Sequence, residues 1–442
     1  MQRRQLNLFD AVMLVMGGVI GVGIFFTPAR VAALVPDTAA FFGMWVLGGL
    51  VALCGALTFA ELGGSFPVAG GWYVFLREAW GRFVAFLFAW VVLGVIATGA
   101  TAVMAGFCVQ SLGEFAPALR ENPHAAKLAT AALVFAVHVL AMFGVRAGAT
   151  LQNACMVLKL AAIVLLAAGA FFAFDPPPGL ARVPLSERAF DLTTLGAALL
   201  PVLFACGGWQ HLCCLASEVK NPQRTLPLAM LLGACGIVLV YLLANSAFVR
   251  VLGTAGMAGD LGFAQKVADV TLGSAGGKFL AAAMAISALG VTIVTVLATP
   301  WLFVAMAREG LFFARFADVH PVSGAPVPAL VVQLVLCLTW CFGGRAEALV
   351  DATVAAEWIF HALAAAALLR LRATRPDLDR PFRSPLYPLA PLVYLAIALF
   401  VIVSNFQGPQ LEHTGTGLLV LVLGAAVYVP WRAIVARSAP AV

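Results

Sequence analysis

The sequence is short of charge. Acidic and basic residues together make up 10% of it, against 63% hydrophobic residues, and the mean hydropathy is +1.01. That shortage excludes a soluble protein of 442 residues, which could not cover so much apolar surface. Lipid must be the solvent for most of the chain. It also lacks any basic tract. The net charge of +6 is scattered between apolar runs, which excludes nucleic acid as a partner. All nine cysteines (54, 108, 155, 206, 213, 214, 235, 337 and 341) fall inside apolar segments. None has metal-ligand spacing or a loop position suited to a disulfide, so they read as small buried hydrophobes. No Ser/His/Asp set, paired catalytic carboxylates or His-rich cluster appears among the spans, which disfavours an enzyme and leaves no metal or cofactor expected. Finally, no small-x-small cleavage site follows the apolar run after Arg3 and Arg4. That run is expected to stay as a first membrane segment.

What is there is hydrophobic length. A spanning helix needs about 20 apolar residues. Twelve segments qualify as candidates: 9–34, 41–66, 82–112, 127–144, 148–174, 192–217, 226–252, 277–307, 326–343, 346–370, 386–405 and 416–436. With both termini inside, sixteen Lys/Arg fall on the cytoplasmic side and eight outside, while Arg30 and Lys159 sit within apolar segments. The bias predicts a multi-pass protein of the cell (inner or plasma) membrane with cytoplasmic termini.

Two segments are built against helix formation. The first contains Gly17, Gly18, Gly21 and Gly23, and the sixth carries "LFACGGWQ" with Gly207 and Gly208 at its centre. Small residues four apart, such as Gly17 and Gly21, also serve helix packing. The pairing of two interrupted segments, first and sixth, favours a transporter built from inverted repeats with a midplane site. The third and eighth segments are both unusually long, which fits the same five-helix repeat. The repeats would cover 9–174 and 192–370, with 386–436 accessory, all in one membrane domain of residues 1–442. Breaking a helix in lipid strands N–H and C=O groups unless they bind something. Free N–H groups suit an anion and free carbonyls a cation. A zwitterionic amino acid carries both.

Five motifs then resemble one family. They are "GGVIGVGIFFTP" (17–28), "CGALTFAELGGSFPVAGGWYVFLREAWG" (54–81), "FACGGWQ" with "SEVKNPQRTLPLAM" (204–230), "VAMAREGLF" with "VHP" (304–321), and "RPDLDRPFRSPLYPLAP" (375–391). In this order and spacing the chain resembles the amino acid–polyamine–organocation transporters, most of all prokaryotic members of the L-type branch. The resemblance implies an all-α protein with the leucine-transporter-like five-plus-five fold, and alternating access. It also implies secondary amino acid transport, by sodium-independent exchange or by proton symport. A channel or sensor using the same site is the competing class. The chain departs from the family at Val22, Cys206, and Pro300 with Trp301, where Ser, Tyr and Arg are usual.

The expected site follows residue by residue. Ile20, Gly21, Val22 and Gly23 would take the substrate carboxylate. Phe204, Ala205, Cys206, Gly207 and Gly208 would take its ammonium and side chain, with Phe204 as gate. Lys159, about twelve residues into the fifth segment, lies roughly 18 Å from its near end, too deep to snorkel. The resemblance gives it the place of a sodium ion, with carbonyls near Gly17–Ile20 and the Ser287 hydroxyl as ligands, or the role of a proton carrier. Glu357, with His361 four residues on, and Trp209 are secondary candidates. Trp209 is expected mainly to pack, and Glu61 to form a structural salt bridge. No acid lies near the centres of segments one, three, six and eight, so a neutral substrate is expected. The loop after the third segment, "SLGEFAPALRENPHAAK", has no cysteine, so no disulfide-linked heavy subunit is expected.

Overall fold

A computed structural model describes residues 4–35, 37–173, 175, 192–343, 346–405 and 411–438. Arg3, Arg182, Arg188 and Arg345, counted in the charge bias, lie outside the described residues. Among the described residues the chain is helical, with no strands and one isolated bridge between Leu6 and Val219. Helix is the economical answer for an apolar chain, because it pairs backbone groups within one segment. Seven helices are long and apolar enough to cross a membrane, and four shorter apolar helices accompany them.

The helices begin where local chemistry permits. Asn7 and Asp10 form a reciprocal capping box at the start of the first segment, satisfying two stranded N–H groups. Asp37 caps Thr38–Ser65 through the Ala40 N–H. Asn122 caps Pro123–Met142, whose first residue lacks an N–H to leave stranded.

The interruptions fall where the glycines predict. The first segment is helical over Leu8–Val19, turns as a short 3₁₀ element at Val22–Phe25, and resumes at Thr27–Leu34. The sixth is helical over Leu192–Ala205 and resumes at His211–Cys214. The long third segment, Arg82–Leu112, contains a wide turn at Val92–Ile96. Among the described residues three α-helices lie outside the twelve expected segments, the four-residue Ala118–Glu121 and two longer ones. Trp72–Trp80 buries Trp72 through Leu76 and Ala79 on the bundle. Phe263–Leu272 runs directly into the long eighth segment. All three are too short to register as spans.

The first segment is wrapped by the fifth, seventh and eighth, while the seventh packs along the second and the eighth along the third. The two broken segments therefore sit inside the bundle. At one end the chain is stitched. Gln5 N–H and Leu6 N–H donate to the Glu218 carbonyl at 2.8 and 3.0 Å, and Lys220 N–H donates to the Leu6 carbonyl at 2.8 Å. At the same end Glu61, fully buried, receives Arg372 through two bonds of 2.7 Å, the Ser384 N–H at 2.7 Å, and Arg380 at 3.6 Å. The expected structural salt bridge is thus a fork-on-fork pair with two further partners. Arg77 pairs with Glu78 and Glu309, and Arg375 reaches Glu78 at 2.5 Å.

Candidate functional site

The two breaks cross one another. Gly208 has φ +116°, a conformation few residues other than glycine adopt. A Cβ added there would fall 2.3 Å from the Gly18 carbonyl oxygen, and one added at Gly18 would fall 3.0 Å from the Gly208 oxygen. Two backbones thus meet face to face, which only glycine allows.

At the first break, Ile20 N–H still bonds back to Met16, and Gly21 N–H makes a tight turn to Val19. Val22 and Gly23 then open the 3₁₀ element, and among the described residues their N–H groups meet no acceptor. First-turn N–H groups are left stranded by helix geometry. The site has room above them: a Cβ at Gly23 would meet nothing closer than Thr27 Oγ1 at 3.7 Å. The Val22 side chain turns elsewhere, into an apolar cluster with Cys108, Ala285 and Ala288, flanked by Phe26, Met104 and Phe107.

At the sixth break the expected carbonyls are partly engaged. Ala205 accepts from the Tyr241 hydroxyl at 2.8 Å, and Phe204 accepts from Gly207 N–H at 3.2 Å. Each keeps a second lone pair. Among the described residues no donor reaches the Gly207 carbonyl. Cys206 is buried, whereas Phe204 is 59% exposed and stands free of the bundle's aromatic contacts. Tyr241 also lies 3.2 Å from the Val19 carbonyl, so one buried hydroxyl touches both breaks. Tyr241 is absent from the sequence-level site, since nothing local in its helix marks it.

Lys159 is 1% exposed, and its ammonium donates to the Ile20 carbonyl at the first break. Its ligands differ from expectation in two respects. Ser287 offers Lys159 its backbone carbonyl, at 3.4 Å, while its hydroxyl donates to Ile20 O at 3.3 Å. Gly17 gives no ligand to Lys159. It is bare because the Gln152 amide lies against it: a Cβ would fall 1.6 Å from Gln152 Nε2. Gly290, on the eighth segment, makes similar room for Gln152 and Lys159. Asp10, another residue the sequence did not single out, ties the first segment to the fifth through Arg146 at 2.5 Å and Asn153 at 2.8 Å.

The secondary candidates divide. Trp209 is buried behind the break, packed edge-to-face on Phe59 with ring centroids 5.0 Å apart and laid against Gly55. Its described contacts are those of packing. Glu357 lies 3.8 Å from His361 and faces the Gln210 side chain just past the sixth break.

The profile of the amino acid permease family matches residues 6–428. The chain is 30% identical over 433 residues to the serine/threonine exchanger SteT of Bacillus subtilis, covering 96% of both chains. It is 29% identical to the human cystine/glutamate transporter over 96% of this chain and 85% of that one. It is 25% identical to the mouse large neutral amino acids transporter small subunit 2, over 96% of this chain and 80% of that one.

Proposed function

The chain belongs to the amino acid permease family, within the amino acid–polyamine–organocation superfamily, and from that premise we propose that it exchanges neutral amino acids independently of sodium. It is a multi-pass membrane transporter of amino acids, not an enzyme. The finer reading places twelve crossings in one membrane domain, with inverted halves at 9–174 and 192–370 and accessory helices at 386–436. It places both termini in the cytoplasm, at the cell membrane.

The observation that carries the reading is the crossing of the two breaks. Val22 and Gly23 present unpaired N–H groups, the Gly207 carbonyl is unengaged, and Gly18 and Gly208 bring the two segments into contact. N–H groups at a helix start attract a carboxylate, and stranded carbonyls attract an ammonium. Ile20, Gly21, Val22 and Gly23 would hold the first. Ala205, Cys206, Gly207 and Gly208 would frame the second, under Phe204. Among the described residues no acidic side chain hydrogen-bonds these backbone groups, Glu357 standing behind Gln210, which favours a neutral substrate side chain. Lys159 on the Ile20 carbonyl supplies a fixed cation between the first and eighth segments, so no sodium ion is needed there. The ion pairs around Glu61 and Glu78 close the end taken as cytoplasmic, and the exposed Phe204 fits a state open to the other side. The absence of cysteine in the loop at 111–127 argues against a disulfide-linked heavy subunit.

The test is counterflow in sodium-free proteoliposomes loaded with unlabelled amino acids, with the twenty amino acids as competitors. Accumulation of labelled serine or leucine, competed best by neutral amino acids, is expected. Preference for lysine, arginine or glutamate would overturn the neutral assignment, and a sodium requirement would overturn the exchange mode. Gly23→Leu should abolish counterflow while leaving expression intact, since the side chain would occupy the carboxylate's place.

A further inference from the structure

The exchange reading leaves the polar residues of the tenth segment without a role, although they are connected to the site. Glu357 and His361 stand one helical turn apart, 3.8 Å between Oε1 and Nε2. The Gln210 side chain faces Glu357 as its other polar neighbour. Gln210 in turn accepts the Gly208 N–H through Oε1 at 3.0 Å. On the far side, His361 Nδ1 lies 2.7 Å from the Tyr394 hydroxyl. A line of polar groups therefore runs from the backbone of the sixth break, past Gln210, Glu357 and His361, to Tyr394.

The surroundings of this path are apolar. The second helix presents Phe59, with its ring 6.4 Å from that of His361. The short helix Trp72–Trp80 presents Trp72 at 4.5 Å, and the tenth segment itself presents Trp358 at 5.0 Å. Trp209 closes the box at 6.5 Å. The titratable groups facing the pair are His211 on the sixth segment and Tyr394 on the eleventh. Among the described residues no lysine or arginine comes within ion-pair distance of Glu357; its partner there is His361. Tyr394 keeps its proton at ordinary pH, and a charged His211 would be a second uncompensated ion. A carboxylate with only 26% of its side chain exposed and no lysine or arginine beside it is costly to ionise. One proton shared between Glu357 and His361 makes the pair neutral overall. Its loss leaves a bare carboxylate whose remaining support is the Gln210 amide.

We propose that Glu357 and His361 form a proton-binding site coupled through Gln210 to the Gly208 backbone, so that amino acid exchange depends on the protonation of this pair. The inference rests on the transport reading above. With Glu357 ionised, the Gln210 NH₂ donates to it, and the Gln210 oxygen holds the Gly208 N–H. With the proton on Glu357, a hydroxyl faces that NH₂, donor to donor. The amide must turn to offer its oxygen to Glu357, and it then releases the Gly208 N–H. Gly208 lies against Gly18, so the change arrives where the two broken segments meet. The proton moves only between water, Glu357 Oε and His361 Nε2, and no other bond is made or broken.

The experiment uses the full chain in sodium-free proteoliposomes, with equal pH inside and outside. Counterflow of labelled L-serine and L-leucine is measured between about pH 5.5 and pH 8, alongside equilibrium binding of the same probes to the purified protein. The wild-type rate should change at least about threefold across this window. Glu357→Gln, which keeps an amide-sized polar group beside Gln210 but cannot titrate, should flatten the profile. Glu357→Asp should keep the dependence with a displaced midpoint. Should Glu357→Gln bind without exchanging, its affinity should be the same at every pH. Wild-type exchange that is flat in pH would overturn this inference and leave the transport reading standing. A Glu357→Gln profile that tracks the wild type would do the same, because the dependence would then belong elsewhere, Lys159 included. Absence of both binding and counterflow at every pH, for every labelled amino acid, would overturn both.

Discussion

Gly208 and Gly18 touch backbone to backbone. A methyl group on Gly208 would sit 2.3 Å from the Gly18 oxygen, and the residue's φ of +116° is itself foreign to other residues. Gly208→Ala should therefore lower exchange at least about tenfold, since a strained backbone costs about 1–3 kcal/mol before any clash is relieved. Gly23→Ala, whose new methyl would meet its nearest neighbour at 3.7 Å, should be far milder. Counterflow rates of the two variants at matched protein amounts check the contrast. Equal rates would mean that the crossing does not constrain transport.

Phe204 separates gating from stability. Being 59% exposed, it contributes little to the core, so Phe204→Ala should lower the thermal stability in detergent by less than about 1 kcal/mol. If it covers bound substrate, the same variant should weaken binding by about 1–3 kcal/mol and slow turnover, with Phe204→Trp milder. A variant that exchanges at the wild-type rate would remove Phe204 from the site.

Lys159 holds the Ile20 and Ser287 carbonyls from deep inside the bundle. Lys159→Ala removes a buried donor shared by both carbonyls, while Ile20 keeps the Ser287 hydroxyl at 3.3 Å, so the loss is about 1–3 kcal/mol in all. Exchange should fall strongly. Wild-type exchange should be the same with and without sodium. Measuring both proteins in sodium and in choline buffer decides the point, because restoration of the alanine variant by sodium would show the cation's place directly. Unchanged exchange by Lys159→Ala would reduce the lysine to a packing element.

The ion pairs at the stitched end give a pH prediction of definite sign. Burial raises the Glu78 pKa, but hydrogen bonds from Arg77 and Arg375 outweigh it and hold the carboxyl below its ordinary 4.5. A depressed carboxylate stabilises the fold above that ordinary value, and the contribution is lost as pH falls through the lowered one. Thermal stability should thus be level from neutral pH down to about 4.5 and decline below it. Glu78→Gln should cost about 1 kcal/mol at neutral pH, the scale of an exposed pair, and should blunt the acid decline. A Glu78→Gln melting curve identical to wild type at pH 7 would assign the pair no stabilising part.

The sequence showed the breaks because glycine is costly inside a helix and has to be compensated by something. Gly21, Gly23, Gly207 and Gly208 announce themselves that way, and so does Lys159, a charge with no route to water. Glu61 is legible for the same reason. Tyr241, Gln152 and Gln210 are not. Each is an ordinary residue whose importance comes from a partner on another segment: Tyr241 from Val19 and Ala205, Gln152 from Gly17, Gln210 from Glu357. Such meetings depend on how each helix is rotated about its axis, and one residue of register turns a side chain by about 100°. The same uncertainty misassigned Ser287, whose carbonyl rather than its hydroxyl meets Lys159. The short helix Trp72–Trp80 escaped notice for a different reason. Nine residues form a stable helix only against the rest of the bundle.

The bridge between Leu6 and Val219 has a mechanical consequence. It fastens the start of the first segment to the tail of the sixth by three backbone hydrogen bonds, and the same two segments are pressed together again at Gly18 and Gly208. Two bodies pinned at two separate points keep one degree of freedom, a swing about the line through the pins. They can neither slide past one another nor spread apart unless a pin is drawn. A load applied to the chain before Leu6 is therefore delivered, with the leverage of half a helix, to the glycines at the crossing.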